Sequence, residues 1–340
     1  MTTKLQFHYE PFKLSFKRPS GTSRGILTEK IGWIIRITDN QTTGIGECSI
    51  IEGLSPDFTS IKEYEAQLED IRKNLDFYLE NLAQLTPYPS ILFGIESALL
   101  DFKNGGKQLY FDTPFTRKEC SISINGLIWM GEESFLKEQI LEKIDSGYHC
   151  LKLKIGALDF QKELEILEFI RTNFDSKQLE LRVDANGAFS PNDALSKLHA
   201  LSAFELHSIE QPIKAGQWHE MKALCQTTPV PIALDEELIG VFTREQKKSL
   251  LETIAPQYII LKPSLHGGIS GVQEWIELAA SRNIPWWMTS ALESNIGLNV
   301  IAQFASTYPL NIPQGLGTGA LYTSNFESKL TLKNGILTFN

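Results

Sequence analysis

Cys150-Leu151-Lys152-Leu153-Lys154-Ile155 is the stretch on which the reading of this chain turns. Its residues alternate, so in a strand Leu151, Leu153 and Ile155 share one face while Lys152 and Lys154 share the other. Downstream the same design recurs. Lys154, Asp184, Glu210, Asp235 and Lys262 each close a short apolar run, at successive intervals of 30, 26, 25 and 27 residues. Each interval holds one strand, one loop and one helix, the length of a βαβ unit. Strands are expected at Ser121–Asn125, Cys150–Ile155, Leu179–Asp184, Leu206–Glu210, Pro231–Asp235, Tyr258–Lys262, Pro285–Thr289 and Asn311–Leu316. Amphipathic helix patterns lie between them, as at Phe160–Phe174, Pro191–Phe204 and Val272–Arg282. The expected fold class is α/β, a TIM-type (modified β/α) barrel. A doubly wound sheet competes less well, because no glycine-rich phosphate turn follows the first strand.

Ahead of this alternation the texture differs. Leu5-Phe7-Tyr9, Ile31–Thr38 and Gly44–Glu47 read as strands, and Ile61–Glu80 and Pro89–Lys103 as helices. Strands followed by helices make an α+β module. The expected division is a capping domain over 1–115, joined by 320–340, and a catalytic barrel over 116–319. Of 340 residues, 42% are hydrophobic and 21% charged, an ordinary globular mixture. A net charge of −9 argues against nucleic acid and anionic membrane as partners. The stretch Met1–Gln6 lacks a signal-peptide run and no apolar segment is long enough to span a bilayer, so a cytoplasmic location is expected. Cys48, Cys120, Cys150 and Cys225 have no metal or disulfide spacing. Oligomeric state cannot be read from the pattern.

The chemistry sits at the strand ends. By parity, Arg182, Asp184 and Asn186 share a face, as do Ser208 and Glu210, and Met288 and Ser290; His207 is expected to face outward. One ring of Trp286-Trp287 should point inward and the other outward. Three carboxylates brought together in a barrel mouth repel one another and lose hydration, so they need a cation. Ligation by oxygen alone favours a hard ion, Mg²⁺ with Mn²⁺ as a substitute. A single strand-end acid is usually a loop charge or helix cap, and the three together could form an ion-pair network; their register on consecutive units favours the metal. Lys154 and Lys262 then flank it. That arrangement suits removal of a proton α to a carboxylate, with a small-molecule carboxylate as the partner.

Lys152-Leu153-Lys154, Asp184-Ala185-Asn186, Glu210-Gln211-Pro212, Asp235-Glu236 and Lys262-Pro263 resemble the motifs of the enolase superfamily, in its muconate-lactonizing subgroup. Ser290-Ala291-Leu292-Glu293-Ser294 with Gly297-Leu298 is similar to the subgroup's seventh-strand segment, and Gly44-Ile45-Gly46-Glu47 and Ser97–Asp101 to its capping domain. The resemblance implies Lys154 and Lys262 as acid/base residues and Asp184, Glu210 and Asp235 as Mg²⁺ ligands. It implies Glu236 behind the ligands, and Lys152, Arg182, Asn186 and the Thr289, Ser290, Gly315, Leu316 and Gly317 positions at the substrate, the last five through backbone donors. Arg24, in a loop over the substrate, could meet a second carboxylate or be a solvated charge. The activity implied first is syn-dehydration of 2-succinyl-6-hydroxy-2,4-cyclohexadiene-1-carboxylate to 2-succinylbenzoate in menaquinone biosynthesis. Racemisation of N-succinylamino acids or a related epimerisation uses the same two lysines, and muconate-type cycloisomerisation the same machinery. Dipeptide epimerases of the subgroup carry an Asp-x-Asp after the eighth strand, and Gly315–Ala320 has no acid. A metal-binding barrel without turnover is the reading from another class; two desolvated amines argue against it.

Overall fold

The computed structural model describes residues 4–22 and 25–340. In the first module, β1 (Gln6–Thr22), β2 (Gly25–Thr38) and β3 (Thr43–Ser49) pair antiparallel in that order. Three helices follow: α1 (Ile61–Lys73), α2 (Leu75–Glu80) and α3 (Pro89–Lys103). The single helix expected over Ile61–Glu80 is two, because Asn74 leaves helical geometry and turns its amide back onto Asp70. α3 lies hard against β3. A Cβ at Gly44 or Gly46 would stand 2.0 Å from the carbonyl oxygen of Ala98 or Gly94. Phe7, Trp33, Ile35, Tyr64, Leu68 and Ile95 fill the core between sheet and helices.

Beyond this module strands and helices alternate. β4 (Ile122–Ser123), β5 (Gly126–Ile128) and α4 (Glu133–Asp145) lead into β6 (Cys150–Lys154), α5 (Phe160–Asn173) and β7 (Glu180–Asp184). Next come α6 (Pro191–Leu201), β8 (Ser208–Glu210), α7 (Trp218–Thr227), β9 (Ile232–Leu234) and α8 (Arg244–Ile254). β10 (Tyr258–Leu261), α9 (Gly268–Ala280), β11 (Trp286–Met288) and α10 (Asn295–Ala305) complete the alternation, and β12 (Leu330–Lys333) and β13 (Ile336–Phe339) form a closing hairpin. Strands β5 to β11 make one seven-stranded parallel sheet in chain order. Both of its edges meet the same short segment: Thr289, after β11, pairs with Gly315, and Ile124, before β5, pairs with Gln314. Gly315 permits this closure, since a Cβ there would stand 2.2 Å from Thr289 Oγ1.

Two strands differ from expectation. Ile122–Ser123 pairs with β13, and the parallel sheet begins only at Gly126. Asn311–Leu316 contributes bridges at Gln314 and Gly315 but no extended strand; Pro313, which has no N–H to give, interrupts the ladder. The closing hairpin pairs with β4, while Tyr322 and Thr323 bond to Phe16 and Ser15 of β1.

The sheet buries both faces. Leu151, Leu153, Val183, Ile209, Leu261 and Met288 pack against helix residues such as Ile166, Leu167 and Leu198. Ala233, Ile260 and Trp287 form a separate cluster on the inner side. β11 therefore has the opposite phase to the one expected: Met288 faces the helices and Trp287 the interior. Counting back from Ser290 failed because alternation ends with the three-residue strand. His207 also lies inward, its ring centroid 4.8 Å from that of Tyr258 and 6.0 Å from that of Trp287. Among the described residues no helix is long and apolar enough to cross a membrane.

Candidate active site

Inner-face side chains at the C-terminal ends of the parallel strands open into a cavity of about 480 Å³. Lys152, Lys154, Asp184, Asn186, Glu210, Glu236 and Lys262 line it from the parallel sheet, and Ile51 and Leu54 from the first module. Register explains the convergence. Lys154 stands beside Asp184, and Asp184 beside Glu210, on neighbouring strands. Lys154 Nζ donates to Asp184 Oδ2 at 3.0 Å and to Asn186 Oδ1 at 2.6 Å. Lys152 Nζ spans Asp184 Oδ2 at 3.2 Å and Glu210 Oε2 at 2.8 Å. The Lys262 ammonium is bonded to Asp235 Oδ2. Asn186 Nδ2 donates in turn to Glu236 Oε1 at 3.0 Å. Glu236, which the resemblance implies behind the ligands, lines the cavity next to Asp235.

Burial disfavours charge on Asp184, Glu210, Asp235, Glu236, Lys152 and Lys262, and the neighbours decide which keep it. Burial would raise Asp184, but Lys154 and Lys152 outweigh it and hold the carboxyl low. Asp235 is likewise held low by Lys262 against its own burial. Glu210 goes the other way, raised by burial and by the Asp184 carboxylate. Glu236 is pushed up to about 7 by burial and then by Asp235. Burial works against both Lys152 and Lys262, yet the acids around each raise them and keep them cationic.

The carboxylates are not gathered into an open cage. Among the described residues no group of three or more His, Cys, Asp and Glu is placed to hold a metal ion, because ammonium groups stand between the acids. Even so, Glu210 Oε1, Asp235 Oδ1 and Glu236 Oε2 are buried and meet no hydrogen-bond donor among the described residues. Buried carboxyl oxygens without donors are costly unless a cation meets them. All three donors are oxygens, the chemistry that a hard divalent ion takes.

Several expected substrate contacts sit elsewhere. Arg182 lies outside the cavity lining, two residues before Asp184, with its Nη1 donating to the Pro313 carbonyl at 2.9 Å, its Nε to Glu180 at 2.8 Å, and its guanidinium 4.5 Å from the Trp287 ring. Leu316 belongs to the helix-facing core. Thr289, Ser290, Gly315 and Gly317 do line the cavity. However, the N–H groups of Thr289, Ser290 and Gly315 donate to Leu261, Gly315 and Met288 carbonyls, closing the sheet instead of facing a ligand. Arg24 lies outside the described residues. His266 is buried and accepts the Lys262 N–H through Nδ1 at 3.0 Å, which fixes the turn after β10. The sequence reading missed Lys17 and Arg18 in the second half of β1 and Asn125 and Trp129 around β5, all of which line the cavity. Parity along β5 would have found Trp129 once the strand was placed at Gly126–Ile128.

Residues 136–340 match the family model described as Enolase C-terminal domain-like, and the chain belongs to the enolase superfamily. It is 47% identical to the o-succinylbenzoate synthase of Desulfotalea psychrophila, over 98% of each chain. The crystal structure of MenC from the same organism superposes with a TM-score of 0.88 at 44% identity, covering 98% of this chain and 99% of that one. The L-Ala-D/L-Glu epimerase of Bacillus subtilis, 19% identical and with TM-score 0.81 over 98% of this chain and 96% of that one, shares the fold.

Proposed function

We propose that this chain removes water from 2-succinyl-6-hydroxy-2,4-cyclohexadiene-1-carboxylate by syn elimination, giving 2-succinylbenzoate, as o-succinylbenzoate synthases do in menaquinone biosynthesis. The sheet whose edges meet at residues 314–315 is then a modified β/α barrel over 116–319, capped by 1–115 with 320–340. One observation carries the reading. Lys154 and Lys262 enter a single cavity from β6 and the end of β10, with Asp184 and Glu210 closing β7 and β8 between them and Asp235, just past β9, paired to Lys262, in a chain alike over 98% of its length to such a synthase. Asp184, Glu210 and Asp235 would hold Mg²⁺, which when bound supplies positive charge at the substrate carboxylate as the α-carbon loses its proton. Lys154 Nζ takes that proton and returns one to the departing hydroxide on the same face. Lys262, kept cationic by its acidic neighbours, steadies the negative charge on the substrate.

The test is direct assay of the aromatic product. Lys154→Ala should lower kcat by ~10²–10⁴-fold, the usual contribution of a positioned general base; wild-type turnover in that variant would refute the assignment. Epimerisation of a dipeptide is disfavoured, because Gly315–Ala320 offers no counter-charge to a free ammonium. N-Succinylamino acids have no such ammonium and form a second substrate class for the same lysine pair. Mg²⁺-dependent α-deuteration of these compounds in D₂O distinguishes that activity from dehydration.

A further inference from the structure

Two modules build the wall of the cavity at one point. Ile51 and Leu54 come from the loop after β3, and Ala291 and Leu292 from the loop after β11; Ile51 packs with Ala291 and Leu292 in one apolar cluster. Beneath them lies Lys30 of β2, only 2% exposed. Its ammonium donates to the Ile50 carbonyl at 2.5 Å and to the Ala291 carbonyl at 3.0 Å. The Ala291 N–H donates to Glu293 Oε2 at 2.6 Å, and Glu293 Oε1 accepts from Ser264 Oγ at 2.5 Å. Ser264 is two residues beyond Lys262. A second strap runs alongside: Glu47 of β3 accepts the N–H groups of Ser294 and Gly297, at 2.9 and 2.8 Å, at the start of α10.

We infer that Lys30 is a positioning residue for catalysis, a buried clamp that sets the first module's cavity wall against the loop after β11 and, through Glu293 and Ser264, against the segment carrying Lys262. The choice of residue supports this. A methionine of similar length would fill the space without desolvating a charge, and buried ion pairs are often replaceable by apolar groups at no loss of stability. What an ammonium adds is direction, since it fixes two carbonyls from different modules at hydrogen-bond length. Ala291 is held from both sides, its carbonyl by Lys30 and its N–H by Glu293, so the two side chains act as a unit.

This inference rests on the cavity being the active site, and two readouts separate it from that reading. In full-length Lys30→Met, hydrogen exchange at residues 50–54 and 289–294 should quicken while the parallel strands keep their protection. Dehydration by the same variant should show KM raised ~10-fold or more with a smaller change in kcat, since a misplaced wall loosens substrate without removing a reacting group. Adding Glu293→Gln should cost little beyond the single change. If Lys30→Met fails to fold, Lys30→Gln and Glu293→Gln alone carry the same comparison. Wild-type exchange at 289–294 with an unaltered KM would overturn the clamp. A wild-type protein that does not dehydrate the substrate would sink the proposed function, and the exchange measurement would still decide the role of Lys30.

Discussion

Asn186 holds a left-handed backbone, φ 44°, a conformation that asparagine tolerates better than most residues. The turn lets its Oδ1 meet Lys154 Nζ and its Nδ2 meet Glu236, so the amide sets the direction of the Lys154 side chain. Asn186→Ala should therefore lower kcat by about 10-fold, with KM changing less, in steady-state kinetics of dehydration. Lys154, Asp184, Glu210, Asp235 and Lys262 were legible in the sequence, because a charge that ends an apolar run marks a strand end by itself. The grip of Asn186 on Lys154 was not, since it depends on a backbone reversal that alternation does not describe. Arg182 shows the same limit. Parity put it on the inner face, but only the structure places its guanidinium on Trp287, away from the cavity lining.

At the scale of elements, the first module grips the second at a helix start. Glu96 of α3 accepts the N–H of Ile269 at 2.5 Å and that of Ser270 at 3.2 Å in the first turn of α9. Burial raises its pKa to about 7, against the pull of those donors. An acid whose folded pKa lies above its unfolded value binds the extra proton in the folded state. Its stabilising contribution is thus complete below about 4.3, the ordinary glutamate value, and fades as pH rises through about 7. Glu96→Gln removes that titration. Between pH 5 and 7.5 the difference in urea midpoint between wild type and variant should shift in favour of the variant as pH rises. The packing of β3 on α3 makes a second prediction. Gly46→Ala drives a Cβ into the Gly94 carbonyl and should cost on the order of 1–3 kcal/mol in denaturant unfolding. The glycines at 44 and 46 stood out in the sequence as a motif, but the carbonyls they make room for did not.

Across the whole molecule, the proposed Mg²⁺ site can be tested without any substrate, through the buried oxygens of Glu210, Asp235 and Glu236 that meet no hydrogen-bond donor among the described residues. Mg²⁺ at 100 times its dissociation constant should stabilise the fold by about 2.7 kcal/mol, seen as a rise in Tm that Asp235→Asn abolishes. Chelation should remove both the rise and the dehydration activity, and an unchanged Tm would count against the cation. The sequence by itself determined the alternation of strands and helices, the α+β character of the first module and the five charged positions. Each of these is written in local periodicity, within one strand–loop–helix interval. The tertiary structure alone decided that Gln314 and Gly315 join the two edges of the sheet, that Trp287 rather than Met288 turns inward, and that Lys30 meets the Ala291 carbonyl 261 residues away. Contacts at such separations follow from how whole faces pack, and no local pattern of residues encodes that.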